Sequence, residues 1–293
     1  MRRAPDVDAE LDGYNGIERF ARDGSTKHMP RDHDFNSKVA EPMRIDAHTH
    51  LGECDRTYYG QAKNWDMSGY FTADDLMGLL DEVEVDVALC FPLGTKTSDA
   101  GLRLVIDGVQ KYPERLRGFY WGNPHDPAAP GELEKYVREY GLSGLKLHPT
   151  SDSWMAGHPV ADPLMHKAEE LGVPVTIHSH QPGSQPALIG ELATRFPKVT
   201  VIMAHMGMHH YRDAMYVASK EPNVVLETAV QPWAHRMARD IVDRIGLERL
   251  VWGSDAPLHH PRVEKAKIEV SALTDAERDA VMGGNIARIL NWK

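Results

Sequence analysis

From Met43 to the C-terminus, short apolar runs alternate with longer stretches of helical periodicity, and few folds accept that order. The candidate strands are residues 43–48, 85–91, 116–121, 144–148, 173–178, 199–205, 224–228 and 250–255. Between them lie segments such as 163–171, 186–196, 211–219 and 234–245, whose apolar residues recur at helical spacing. A strand every ~25–30 residues with a helix between implies parallel strands joined by helical crossovers. Eight such units predict an α/β protein of the (β/α)8 TIM-barrel type, which usually takes roughly 250 residues. The competing arrangement is an open doubly wound sheet. Its phosphate-binding signatures, Gly-x-Gly-x-x-Gly after the first strand or Gly-x-x-x-x-Gly-Lys, do not occur. A last helix is expected from Thr274 to Leu290, with Thr274 as N-cap and Glu277 closing a capping box.

Residues 1–42 read differently. They are charged and rich in Gly, Asp and Arg, with a brief apolar patch at Tyr14, Ile17 and Phe20. They are expected to form an N-terminal extension, partly ordered or draped on a barrel that occupies 43–293. It could cover the barrel mouth or support a homo-oligomer.

A hydrophobic fraction of 42% over 293 residues is ample for a large core. The net charge of -10, without a Lys/Arg run, argues against nucleic acid and anionic membrane surfaces as partners. No run approaches the roughly 20 apolar residues needed to cross a bilayer. Acidic residues follow Arg2 and Arg3 where a signal peptide would be apolar. Cys54 and Cys90 cannot make a disulfide framework. The expectation is a soluble, cytoplasmic protein acting on a small molecule.

The chemistry is concentrated at strand ends. The first strand runs Ile45-Asp46-Ala47-His48-Thr49-His50, and side chains two apart share a face, so His48 and His50 can address one point. The fifth strand ends in His178, with Thr176 and His178 inward and Val175 and Ile177 toward the helices. The sixth ends in His205 and the eighth in Asp255. The C-terminal ends of barrel strands are where such enzymes place their active sites. Three imidazoles and a carboxylate suit a divalent metal with a water-filled position, zinc first, with manganese or iron as alternatives. Asp255 could also accept a proton from that water, and His205 could polarise a substrate oxygen, shuttle a proton or bind a second metal. The plainer alternative for Asp255 is an ion pair with Lys146.

The fourth strand places Lys146 and His148 inward. Lys146 could pair with Asp255 or Glu227, bind substrate as a cation, or be carboxylated to bridge two metals. His148 lines the pocket or caps its strand. Trp154 and Trp233, after the fourth and seventh strands, point to a partly apolar or aromatic substrate. With His180, these complete the candidate substrate-binding set. Tyr58, Tyr59, Trp65, Tyr70 and Phe71 form a lid or a surface cluster, and Arg56 is a candidate to hold a substrate carboxylate.

Together these motifs resemble the amidohydrolase superfamily in its amidohydrolase-related branch. That branch includes lactonases and aromatic decarboxylases similar to aminocarboxymuconate-semialdehyde decarboxylase. The likeness runs from Met43 through Gly144-Leu145-Lys146-Leu147-His148-Pro149, Ala204-His205-Met206-Gly207 and Gly253-Ser254-Asp255 to the closing Gly284-Asn285-Ile286-Ala287-Arg288-Ile289-Leu290. It implies that His48, His50 and His178 bind the metal, that Asp255 is ligand and proton acceptor, and that His205 is the acid/base. It gives no role to His180 or to His209-His210. The leading expectation is hydrolysis of a lactone, amide or related carbonyl by metal-activated water. The alternative is non-oxidative decarboxylation of an aromatic or enoic acid with the same groups.

Overall fold

The structure, a computed structural model, describes residues 42–53, 70–93 and 99–292. The expectations for the N-terminal extension (Pro42 apart), Cys54, Arg56, Tyr58, Tyr59 and Trp65 lie outside the described residues. The strands are β1 (Ile45–Glu53), β2 (Tyr70–Phe71), β3 (Val87–Leu93), β4 (Leu116–Trp121), β5 (Gly144–Leu147), β6 (Val175–Ile177), β7 (Val201–Met203), β8 (Val224–Glu227) and β9 (Leu250–Val251). They form one sheet in the order β2-β1-β3-β4-β5-β6-β7-β8-β9. All neighbours from β1 through β3 to β9 are parallel, which matches the strands read from the sequence.

The sheet closes on itself beyond β9. The Ala47 N–H donates to Trp252 O at 3.0 Å, Asp255 N–H to His48 O at 2.7 Å, and His50 N–H to Ala256 O at 2.7 Å. The result is an α/β TIM barrel. The short β2, which pairs antiparallel with the end of β1, was not foreseen, because two residues carry no readable period. Several strands begin later than expected. At β6, Pro174 has no N–H to give the ladder, and pairing starts at Val175.

Each barrel strand is followed by a helix. These are α1 (Ala73–Glu82), α2 (Asp99–Lys111), α3 (Ala129–Tyr140), α4 (Asp162–Leu171), α5 (Pro186–Arg195), α6 (Tyr211–Lys220), α7 (Ala234–Ile245) and α8 (Pro261–Glu269). Two apolar layers result from the strand alternation. Val87, Leu89, Phe91, Phe119, Ile202, Val225 and Val251 fill the barrel interior. The opposite faces of the strands, with residues such as Ala88, Cys90, Leu145, Leu147, Val175 and Ile177, pack under the helices. Gly144 faces inward, and a Cβ there would lie 2.2 Å from Phe119 Cε1, so the ring occupies the space a side chain would take.

The C-terminal segment closes the end of the barrel where the strands start. Ile286, Ala287, Ile289, Leu290 and Trp292 pack against the interior cluster, and the Arg117 guanidinium lies 3.5 Å from the Trp292 ring centroid. Thr274 and Glu277 form the anticipated capping box. The expected single helix is interrupted, however. A five-residue π turn, Ala280–Gly284, separates α9 (Asp275–Asp279) from α10 (Asn285–Ile289). Gly283 in that turn passes so close to the chain leading into β1 that a Cβ would meet Met43 O at 1.8 Å.

Candidate metal centre

Strict alternation along β1 cannot by itself bring both Ala47 and His48 inside. The register with β3 shows how it happens: Asp46 faces Ala88 while Thr49 faces Cys90, so β1 carries one extra residue. This bulge re-phases the strand, turning His48 and His50 inward after Ile45 and Ala47. Asp46 secures it, because its Oδ1 accepts the N–H of His48 at 3.0 Å and of Ser254 at 2.9 Å.

After β7 the chain does not continue as strand through His205, as the sequence reading had it. It enters a turn in which His205 (φ 61), Met206 (φ 49), Gly207 (φ 70) and Met208 (φ 48) are all left-handed. For non-glycine residues this costs about 1–2 kcal/mol each, so the surroundings must hold it. Glu227 Oε2 accepts the His205 N–H at 3.2 Å, Ser179 Oγ accepts the Gly207 N–H at 2.8 Å, and Gln231 Nε2 donates to Met208 O at 3.1 Å. Asp255, beyond β9, is also left-handed at φ 67.

These devices bring the donor atoms of His48, His205 and Asp255 within 4.8 Å of one another, all buried. His48 Nδ1 lies 2.9 Å from Glu227 Oε2, and with the proton on Nδ1 the ring keeps a lone pair on Nε2. That lone pair lies 3.3 Å from Asp255 Oδ1, so two electron-rich atoms face each other and call for a cation between them. Lys146 Nζ stands at 3.4 Å from His48 Nε2 and 4.7 Å from the Phe91 ring centroid. His50 meets two acceptors, Pro92 O at 3.4 Å from Nδ1 and Asp255 Oδ1 at 3.0 Å from Nε2. His178 Nε2 is buried without a hydrogen-bond partner.

Electrostatics favour the same occupant. Burial, reinforced by Lys146 and by neighbouring imidazoles, holds His48, His148 and His178 well below the usual histidine range. Burial also pushes His205 down to about 4. The imidazoles are therefore neutral and keep their lone pairs. For Asp255, burial alone would raise the pKa, but the His50 hydrogen bond and the nearby Lys146 ammonium help outweigh it and hold the carboxyl below its ordinary value. Burial takes Lys146 down to about 8 against the pull of Asp255 and Glu227. It raises Glu227 to about 8 and Asp46 to about 7, opposed by the hydrogen bonds each accepts. Neutral imidazoles, an ionised carboxylate and an orphaned ring nitrogen fit a divalent cation.

The other expected residues fall as follows. His148 stacks on His178 and also caps its strand end, since Nδ1 accepts the Ser151 N–H at 3.2 Å. Trp121 stacks on the far side of His148, with centroids 5.4 Å apart and planes 8° apart. His180 is half-buried, with its ring 5.5 Å from that of His178. Trp154 is packed into the apolar layer under the helices. Trp233 is 41% exposed, with its ring 6.2 Å from those of His209 and Tyr211. Cys90 is buried, and burial raises its thiol to about 12. Sequence reasoning assigned no site role to Asp46, to Trp121 or to Glu227 beyond a possible partnership with Lys146. The signal for Glu227 was present, because it ends the apolar run Val-Val-Leu-Glu as Asp255 ends its own.

The sequence profile described as Amidohydrolase matches residues 45–292. The chain belongs to the amidohydrolase family. A search of curated protein sequences finds no significant match. Among solved structures, this amidohydrolase is similar to 5-carboxyvanillate decarboxylase from Sphingomonas paucimobilis, at 16% identity and a TM-score of 0.65, covering 85% of this chain and 99% of that one. It is similar to a dihydroxybenzoic acid decarboxylase from Polaromonas with bound manganese and the inhibitor 2-nitroresorcinol, at 17% identity, TM-score 0.65, and coverage of 85% and 97%. It also matches an uncharacterised TIM-barrel protein from Bordetella bronchiseptica at 13% identity, TM-score 0.71, and coverage of 85% and 98%. At such identities the likeness speaks for the fold. Among the described residues, no helix of this amidohydrolase is long and apolar enough to cross a membrane.

Proposed function

We propose that this amidohydrolase is a metal-dependent lyase that removes the carboxyl group of a small aromatic or enoic acid as carbon dioxide, without an oxidant. The observation that carries the reading is the buried meeting of His48, His205 and Asp255 beside the Lys146 ammonium. The names of the structurally similar decarboxylases weigh for this reaction over hydrolysis, which the sequence reading put first. His48, His205 and Asp255 would hold the ion, with His50 and His178 adjoining. Manganese, bound in the Polaromonas enzyme, and zinc are the ions to supply. A divalent ion held by these residues would supply positive charge to stabilise the negative charge that develops as the carbon–carbon bond breaks.

The protein's own groups do the rest. Lys146, with a pKa of about 8, is largely cationic at neutral pH and neutralises a substrate carboxylate or phenolate. The bond to the carboxyl group breaks with its electron pair left on the ring or alkene carbon, and that carbon must then take a proton. Asp255, ionised at rest, takes the proton from a substrate hydroxyl or from water and passes it to that carbon. His205 donates its Nδ1–H to Ala229 O at 3.1 Å, which leaves Nε2 as the lone pair it would offer the ion.

The test is to supply Mn2+ or Zn2+ to the purified protein with a panel of hydroxybenzoates, and separately with lactones and amides. Metal-dependent release of carbon dioxide, abolished in Asp255→Asn, supports the reading. Hydrolysis without release of carbon dioxide overturns it in favour of the hydrolase.

A further inference from the structure

Glu227 has no part in the chemistry above, yet it is fully buried, and the groups it meets are those that shape the centre. Its Oε2 accepts from His48 Nδ1 at 2.9 Å and from the His205 N–H at 3.2 Å, while Oε1 accepts the N–H of Ala229. Backbone N–H groups can only donate, so both oxygens are committed as acceptors. With Glu227 ionised, the form a cation at the centre would favour, the proton between it and His48 sits on Nδ1 and the lone pair of His48 on Nε2, the edge that faces Asp255 and Lys146.

The surroundings are built around this carboxylate. Position 253 has no side chain, and a Cβ there would lie 2.4 Å from Glu227 Oε1 and 2.8 Å from His48 Cβ. The same Oε2 that orients His48 also holds the first residue of the left-handed turn that presents His205. One carboxylate on β8 thus ties a β1 imidazole to a turn after β7.

We propose that Glu227 is a positioning residue that fixes the tautomer and ring orientation of His48, and with it the place of the His205 turn, so that both imidazoles face one point with Asp255. The assignment rests on the reading of that point as a metal centre only in its consequence for affinity. Outer carboxylates that fix a ligand imidazole typically change metal affinity by about 10–100-fold when removed.

The experiment uses full-length protein labelled with 15N-histidine. Metal-free spectra taken where the buried imidazoles are neutral report which ring nitrogen of His48 carries the proton, with assignment by His48→Gln. Glu227→Gln keeps the shape but must turn an NH2 toward one of three donors, and Gly253→Ala crowds the carboxylate without removing it. His166, which packs edge-on against Phe196 with centroids 4.9 Å apart, serves as a remote reporter of folding.

The expected result is His48 protonated at Nδ1 in the native protein and mixed or inverted in both variants, with His166 unmoved. Mn2+ affinity then falls by roughly 10–100-fold. An unchanged Nδ1–H signal in both variants overturns the proposal, as does Mn2+ affinity within twofold of native. A native protein that binds neither Mn2+ nor Zn2+ sinks the metal reading instead, and the tautomer spectra still decide the role of Glu227.

Discussion

His148 and His178 stack face to face, with ring centroids 3.9 Å apart and planes 10° apart. Two charged imidazoles could not hold this contact, and both are kept neutral by burial. The stack fixes His178 while leaving its Nε2 buried and without a partner. A protein tolerates such an atom where a ligand repays its exposure.

That orphaned nitrogen predicts opposite effects on stability and on binding. His178→Phe removes an unsatisfied buried polar atom, so the metal-free protein should gain roughly 1 kcal/mol in urea denaturation. The added stability that Mn2+ or Zn2+ confers on the native protein should be lost from the variant. A variant that is less stable without metal, yet still stabilised by it, would show that His178 is structural.

Asp255→Asn should preserve the fold while removing the proton carrier. Asparagine can still accept from His50, so circular dichroism and the urea midpoint should remain close to native. Turnover of whichever substrate is found should fall by roughly 10²–10⁴-fold. Full activity in this variant would reassign the proton transfer.

Gly144→Ala tests the link from barrel packing to the centre. The new methyl would displace the Phe119 ring, which packs edge-on against Phe91, and Phe91 packs edge-on against His48 with centroids 5.0 Å apart. Overpacking of this kind costs about 1–3 kcal/mol. The loss should appear in urea denaturation together with weakened metal binding.

Glu277 gives a prediction in pH. Its hydrogen bonds from Thr274 and Arg239 hold the carboxyl down to about 2, against an ordinary 4.5. A depressed folded-state pKa contributes stability that is fully present above the unfolded value and is lost as pH falls toward the folded one. The stability difference between native protein and Glu277→Ala should therefore be constant above pH 4.5 and shrink between 4.5 and about 2. A difference that does not change across that window would remove Glu277 from the capping interaction.

Much of the frame was legible in the sequence. The eight barrel strands follow from a repeat of apolar runs, and inward or outward facing at Thr176, His178 and Lys146 follows from the period of two. The Thr274–Glu277 cap is equally local, resting on two side chains three residues apart. The family likeness came from motifs at the strand ends.

What the sequence alone determined, then, is the barrel and the kinds of side chain delivered to its mouth, because periodicity and strand-end chemistry are local properties of the chain. Tertiary structure decided which donors meet. The extra residue in β1 appears only against β3, and the left-handed turn at His205 only against Glu227 and Ser179. Glu227 reaches His48 across 179 residues and Asp255 reaches His50 across 205, and no local pattern encodes a contact made by closing the barrel.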